Sequence, residues 1–313
     1  MITEQEMNVA APLGELRSVE ATNGAGADHC VGGHERLHHG VWSNWAKSVG
    51  RNLLMIVLLP PSEGKTAPAN GSQLDLANLS NGVLTPAREQ VLDALIRLCT
   101  RTPTKARSVL GISPNQRDEV TANAELATAI CAPASEVYTG VLFAALDFDS
   151  LTPAARKRAG NRLLITSSLF GVVRPDDAIC AYRLSGAVTL PKVGKVDRCW
   201  RAHLGLALTP LIGDGLVIDL RSGTYVKFWP IPSALASRAL TVKIWQVGPN
   251  GSRTAVSHHN KAAKGELARL LASTTSTPRT RTAVVDLLQD HGWDASLTPD
   301  TTLGHDRLDV TIT

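Results

Sequence analysis

Three stretches of this chain concentrate side chains that can hold negatively charged oxygens or move protons. The densest runs from Ser167 to Leu184 and places Arg174 and Arg183 near Phe170 and Tyr182. A guanidinium forks onto phosphate with parallel donors, and a phenyl or phenol ring can stack on an unpaired base. From Gly171 to Arg201 the chain carries six basic and three acidic residues. The competing structural reading pairs Asp176 or Asp177 with Arg174 inside a turn and packs Tyr182 in the core. The second stretch, Arg253 to Arg281, holds six basic residues and one acidic. At helical spacing Lys261, Lys264 and Arg269 fall on one side, and Ala263, Leu267, Leu270 and Leu271 on the other. That pattern predicts an apolar docking face and outward-facing lysines. His258 and His259 add partial charge below neutral pH.

The third stretch, Pro60-Pro61-Ser62-Glu63-Gly64-Lys65-Thr66, ends like a P-loop. Leu59 stands where the first P-loop glycine is needed, and two prolines remove amides from any phosphate cradle, so an NTPase is excluded. Lys65 remains a candidate anion contact at the mouth of a strand. Asp219, with Ser222 and Tyr225 close behind it, is a candidate for proton transfer, as is Tyr138. The alternative for Asp219 is a turn carboxylate closing residues 219–223. No G-x-S-x-G, H-E-x-x-H or G-x-G-x-x-G is present, so no catalytic residue is assigned and enzymatic activity stays open. Cys30, His34 and His38 have ligand-like spacing but lack a second cysteine pair. His203, His258, His259, His291 and His305 are scattered, so neither a metal site nor a cofactor is expected.

The elements that must position these groups follow from composition and pattern. Hydrophobic residues make up 43% and charged residues 19% of 313, enough to bury a full core and too apolar for a disordered chain. No stretch has the roughly 18 uncharged apolar residues of a membrane helix. Thr3, Glu4, Gln5 and Glu6 follow Met1 where a secretory signal would be basic and then apolar. Five cysteines, Cys30, Cys99, Cys131, Cys180 and Cys199, form no C-x-x-C and read as reduced, mostly buried thiols of a cytoplasmic protein. The net charge of +4 divides into −2 over residues 1–54 and +6 over 55–313. Residues 1–54 show no sustained periodicity and read as a disordered N-terminal extension, with the folded domain, 55–313, beginning at Met55.

Ile56–Leu59, Leu163–Thr166 and Leu216–Leu220 are short apolar runs predicted as buried strands. Thr224–Trp229 and Thr241–Val247 are β-branched and aromatic, also strand-like; Gly248-Pro249-Asn250-Gly251 predicts a turn after the latter. Helices are predicted from Pro86 to before Pro103, at Thr104–Leu110, Ala122–Ile130 and Lys261–Leu271, and at Val284–His291 with Gly292 as cap. The order predicts α/β, with α+β as the alternative: one domain with a mixed sheet and surrounding helices.

Several of these strings resemble the YaaA family of bacterial peroxide stress proteins. They are Leu58 to Thr66, Val137-Tyr138-Thr139-Gly140, Ser168 to Asp177, Tyr182-Arg183-Leu184, Ile218-Asp219-Leu220, and Lys261-Ala262-Ala263-Lys264-Gly265. The resemblance spans nearly all of 55–313. It implies a helix-hairpin-helix element, placed here at Thr104–Ile130 with Gly111 at the turn, and a basic cleft that binds DNA. It also implies a role in the response to hydrogen peroxide by limiting iron-dependent oxidative damage. On that reading Lys65, Arg174, Arg183, Lys261 and Lys264 contact phosphates, and Phe170 or Tyr182 stacks on a base. The partner is then DNA without sequence preference, and no membrane. The alternative is an enzyme acting on a nucleotide, nucleobase or phosphorylated metabolite in the same cleft. Two departures stand out. Ser62-Glu63-Gly64-Lys65 replaces the family's Ser-Pro-Ala-Lys, and Lys264 stands where arginine is usual, keeping charge but losing the fork.

Overall fold

The computed structural model describes residues 54–248, 252–254 and 257–312. The expected extension, with its Cys30, His34 and His38, lies outside the described residues except for Leu54. So do most of the turn predicted at 248–251 and the side chains of His258 and His259.

Strand β1 (Met55–Leu59) is buried at every position, as an uninterrupted apolar run demands when both faces of a sheet are covered. Helix α1 (Thr85–Arg101) follows, with Pro86 in its first turn. Pro103 opens α2 (Pro103–Leu110), which ends on a left-handed Gly111. Next come α3 (Asp118–Ala124), β2 (Ala132–Pro133), α4 (Ala134–Val137) and α5 (Val141–Leu146). Then follow α6 (Pro153–Arg162), β3 (Leu163–Ser167), β4 (Gly171–Val173), β5 (Ala178–Ile179), β6 (Thr189–Leu190) and β7 (Gly194–Lys195). The chain continues through α7 (Val196–Ile212), β8 (Leu216–Asp219), β9 (Ala239–Val247), β10 (Arg253–Thr254) and α8 (Ser257–Ser273). It closes with α9 (Arg281–Asp290), β11 (Asp294–Thr298) and β12 (Arg307–Ile312).

The main sheet is mixed and eight-stranded, in the order β11-β12-β9-β8-β1-β3-β4, with β10 paired to β9. β1 lies parallel between β8 and β3, β9 continues parallel beyond β8, and β4 returns antiparallel to β3. This is an α/β domain. The chain steps from β1 to β3 on one side and then crosses to β8 on the other. The loops after Leu59, Ser167 and Asp219 therefore leave the same edge of the sheet, where open α/β sheets form their crevice.

Two predicted elements differ. The helix expected at Ala122–Ile130 instead starts at Asp118 and ends at Ala124. Asp118 and Glu119 suit a helix N-terminus, and the Asn123 side chain is diverted to the backbone of Arg183. Thr224–Trp229 is not a strand: Gly223–Phe228 winds into a 3-10 helix. The Arg221 guanidinium donates to the carbonyls of Tyr225 and Trp229, which curls the segment against α7. Helices α6 and α7 and the β11–β12 hairpin lack a clear pattern in the sequence and add to the expected set.

Gly265 and Gly171 are demanded by contact. A side chain on Gly265 would put its Cβ 2.2 Å from the Leu142 carbonyl oxygen, so α8 meets α5 backbone to backbone. Gly171, at φ +77°, faces the Trp200 ring, and a Cβ there would lie 2.6 Å from it.

Candidate functional site

The crevice at the carboxyl edge is built on Lys65. Its loop is fixed by an isolated bridge between Lys65 and Tyr138, by Thr66 N–H donating to Val137 O at 2.9 Å and by Thr139 N–H donating to Gly64 O at 3.1 Å. The ammonium donates to Ser62 O at 2.9 Å and lies 4.3 Å from the centre of the Tyr182 ring. It makes no ion pair among the described residues. Burial, with a smaller push from Arg183, lowers its pKa to about 8, against the pull of Glu119 and Glu63.

Behind Lys65 runs a chain of hydroxyls. Tyr138 and Tyr182 oxygens are 3.0 Å apart, Tyr182 is 2.8 Å from Ser167 Oγ, and Phe170 N–H donates to that Oγ at 3.0 Å. Burial pushes both phenols well above the usual tyrosine range, so neither ionises near neutrality. Arg183 sits at the mouth, paired with Glu119 at 3.3 Å. Its backbone is clamped in both directions by Asn123, at 2.8 and 2.9 Å. The lining around Lys65 and Tyr182 includes Ser62, Glu63, Arg183, Ser185 and Tyr225. The free space inside is about 10 Å³, roughly the room one water molecule needs.

The residues singled out in the sequence divide sharply. Lys65, Tyr138, Tyr182 and Arg183 come together. Phe170 packs edge-on against Tyr182 but is wholly buried, and Tyr182 is 5% exposed, so neither ring offers a face to a base. Asp219 is buried at the end of β8, forked onto Arg221 at 2.8 and 2.9 Å. Its carboxylate therefore holds Arg221, and through it the Tyr225 wall of the crevice, and it is buried away from any substrate. Lys264 does not face outward with Lys261. It is buried beside Ala263 and Gly265 and donates to Leu220 O at 2.9 Å; burial lowers its pKa, and Asp219 opposes that. Lys261, one turn earlier, is exposed.

Arg174 is not in the cluster. β4 runs antiparallel to β3, with Val173 opposite Ile165, so the next residue heads toward the amino edge of the sheet. There its guanidinium donates to Gly160 O at 2.8 Å, in the helix leading into β3, and its own N–H donates to Asp177. The proposed turn pairing with Asp177 is thus a backbone bond. Asp177 also accepts from Ser80.

Sequence reasoning missed Glu119, Asn123, Ser167, Arg221 and Arg88. The last is a fully buried guanidinium donating to the carbonyls of Ser80, Phe170 and Val172; burial holds its pKa down at about 10. Arg221, two residues from Asp219, and Ser167, at the head of the densest stretch, carried a local signal; the others carried none. Among the described residues, no three His, Cys, Asp or Glu side chains gather to hold a metal, and no helix is long and apolar enough to cross a membrane.

The chain is similar to a UPF0246 protein of Streptomyces coelicolor, 45% identical over 240 residues that cover 77% of this chain and 91% of that one. A UPF0246 protein of Corynebacterium efficiens is 44% identical, covering 76% and 93%. The family described as peroxide stress protein YaaA matches residues 55–293, the span that holds every residue of the crevice. By that match this chain belongs to the peroxide stress protein YaaA family.

Proposed function

We propose that this protein works in the cytoplasm during peroxide stress by binding DNA through its phosphate backbone at the Lys65–Arg183 crevice, and so helps limit iron-dependent damage. The observation that carries the reading is the Lys65 ammonium. It is partly exposed, unpaired with any carboxylate among the described residues, and beside the Arg183 guanidinium at the mouth of a crevice with room for one oxygen-sized group. A phosphate oxygen fits that description and a nucleobase does not. The helix pair α2–α3, with left-handed Gly111 between, takes the helix-hairpin-helix role. Glu119 and Asn123 of α3 bind Arg183, so the pair abuts the crevice. Exposed Lys261 extends the basic surface.

The test is an oligonucleotide titration at rising salt with wild type, Lys65→Met and Arg183→Met. Phosphate contacts give affinity that falls steeply with salt, with a shallower slope in each variant. A salt-independent affinity, or variants that bind as wild type does, would refute the reading.

One observation favours an enzyme of nucleotides or nucleobases instead: a lysine held near neutrality next to hydroxyls of Tyr182, Tyr138 and Ser167. Thermal stabilisation by a mononucleotide, with none by oligonucleotides, would move the assignment there.

A further inference from the structure

Cys131 and Cys180 sit on the next rung of the small ladder behind the crevice. Ala132 faces Ile179 and Pro133 faces Ala178, antiparallel, so the same register sets Cys131 opposite Cys180. The kind of rung follows from the hydrogen bonds. Ala134 N–H donates to Asp177 O at 2.8 Å in that register, and rungs alternate between hydrogen-bonded and open pairs. The 134–177 and 132–179 rungs are then bonded, and the 133–178 and 131–180 rungs are open. Pro133, which has no amide, fits an open rung. So does Cys131, whose amide turns outward to Ser72 O at 2.8 Å. Open rungs bring Cα atoms to about 4.5 Å, inside the roughly 4.4–6.8 Å that a disulfide spans.

The two side chains meet as this register requires: each sulfur shifts the ionisation of the other, while the Cys131 thiol donates to Ala129 O at 3.7 Å. The neighbouring Cys180 lowers the pKa of Cys131, and Cys131 together with burial raises that of Cys180. Cys131 is thus the sulfur that ionises first, and Cys180 the one that keeps its proton.

We propose that Cys131 and Cys180 form a dithiol that hydroperoxide converts to a disulfide. The inference is independent of whether the crevice binds DNA. The Cys131 thiolate attacks one oxygen of hydrogen peroxide. An S–O bond forms, the O–O bond breaks, and the departing hydroxide takes a proton to become water. Cys131 is then a sulfenic acid, oxidised by two electrons, and the peroxide is reduced. Cys180 attacks that sulfur, giving up its proton. The S–S bond forms, the S–O bond breaks, and a second water leaves. Two thiols and one peroxide become one disulfide and two waters. Peroxide is close to water in size, which suits a pair covered by the short loop at Gly71 and Ser72. Tyr182 stands two residues beyond Cys180, so the new bond tightens the wall of the crevice.

The experiment treats the reduced, full-length protein with hydrogen peroxide, blocks remaining thiols with an alkylating agent, and maps unreduced peptides by mass spectrometry. The expected result is a Cys131–Cys180 linked peptide, lighter by two hydrogen atoms and restored by a thiol reductant. In Cys180→Ser, dimedone should label Cys131; in Cys131→Ser, the linked peptide and that label should both be lost. Circular dichroism identifies any variant that fails to fold, and the wild-type map stands without the variants. Complete alkylation of both cysteines after peroxide, a link from either one to Cys30, Cys99 or Cys199 in place of their own, or direct conversion of Cys131 to a sulfinic acid would overturn the proposal.

Discussion

If Lys65 contacts phosphate as proposed, oligonucleotide binding depends on pH in a calculable way. With a pKa of about 8 in the free protein, its amine is about nine-tenths protonated at pH 7 and about one-tenth at pH 9. A phosphodiester keeps its charge throughout, so a contact that needs the ammonium loses about tenfold in affinity between those values. The two phenols beside Lys65, Tyr138 and Tyr182, are pushed upward by burial and keep their protons through this range. Unfolding does not mimic the effect. A lysine whose folded pKa lies below its unfolded value binds fewer protons when folded, so its contribution to stability rises with pH from about 8 toward 10.5. The assay is fluorescence anisotropy with a labelled oligonucleotide at fixed ionic strength. Lys65→Arg should flatten the profile while retaining affinity, and Lys65→Met should flatten it at a weaker level. A wild-type profile as flat as that of Lys65→Met would refute the assignment of the contact to this ammonium.

Three further outcomes are expected. Asp219→Ala should lower stability by about 3–5 kcal/mol in urea unfolding, because it strands a buried guanidinium; Asp219→Leu combined with Arg221→Met should recover much of that. Gly265→Ala gains about 1 kcal/mol of helix propensity but forces a Cβ onto the Leu142 carbonyl, so the overpacking cost of roughly 1–3 kcal/mol or more wins and the melting temperature falls. Lys264→Met should cost about 1–3 kcal/mol by leaving the Leu220 carbonyl without its donor, and Arg174→Met should disturb the Gly160 contact. Both should bind oligonucleotide as wild type does; a loss of affinity in either folded variant would return those residues to the binding surface.

The central part of this architecture was legible because its signals are local. Five apolar residues in a row at Met55 can only be a covered strand, and Pro86 and Gly292 punctuate helices by their own backbone chemistry. The crevice was half legible. Lys65 and Arg183 were found as charges next to turn residues, but their convergence depends on the β1–β3–β8 order, which no local pattern encodes. The failures are of the same kind. Lys264 is expected on an outward basic face and Arg174 on phosphate or paired with Asp176 or Asp177 in a turn, whereas each guanidinium or ammonium finds a backbone carbonyl from another element, Gly160 O and Leu220 O. Thr224–Trp229 has strand-forming residues, yet a single distant-reaching guanidinium, Arg221, bends it into a 3-10 turn. Phe170 resembled a stacking platform because aromatic type does not reveal depth.

The two-rung ladder of Ala132–Pro133 with Ala178–Ile179 has a consequence for how the crevice keeps its shape. Tyr138 and Tyr182 each stand a few residues beyond one side of that clasp, and neither belongs to the main sheet. Their hydroxyls are therefore spaced by a miniature fastener of their own. Because Tyr138 is bridged to Lys65 just after β1 and Tyr182 is bonded to Ser167 at the end of β3, that fastener buttons the tips of the two neighbouring strands together a second time, above their own ladder.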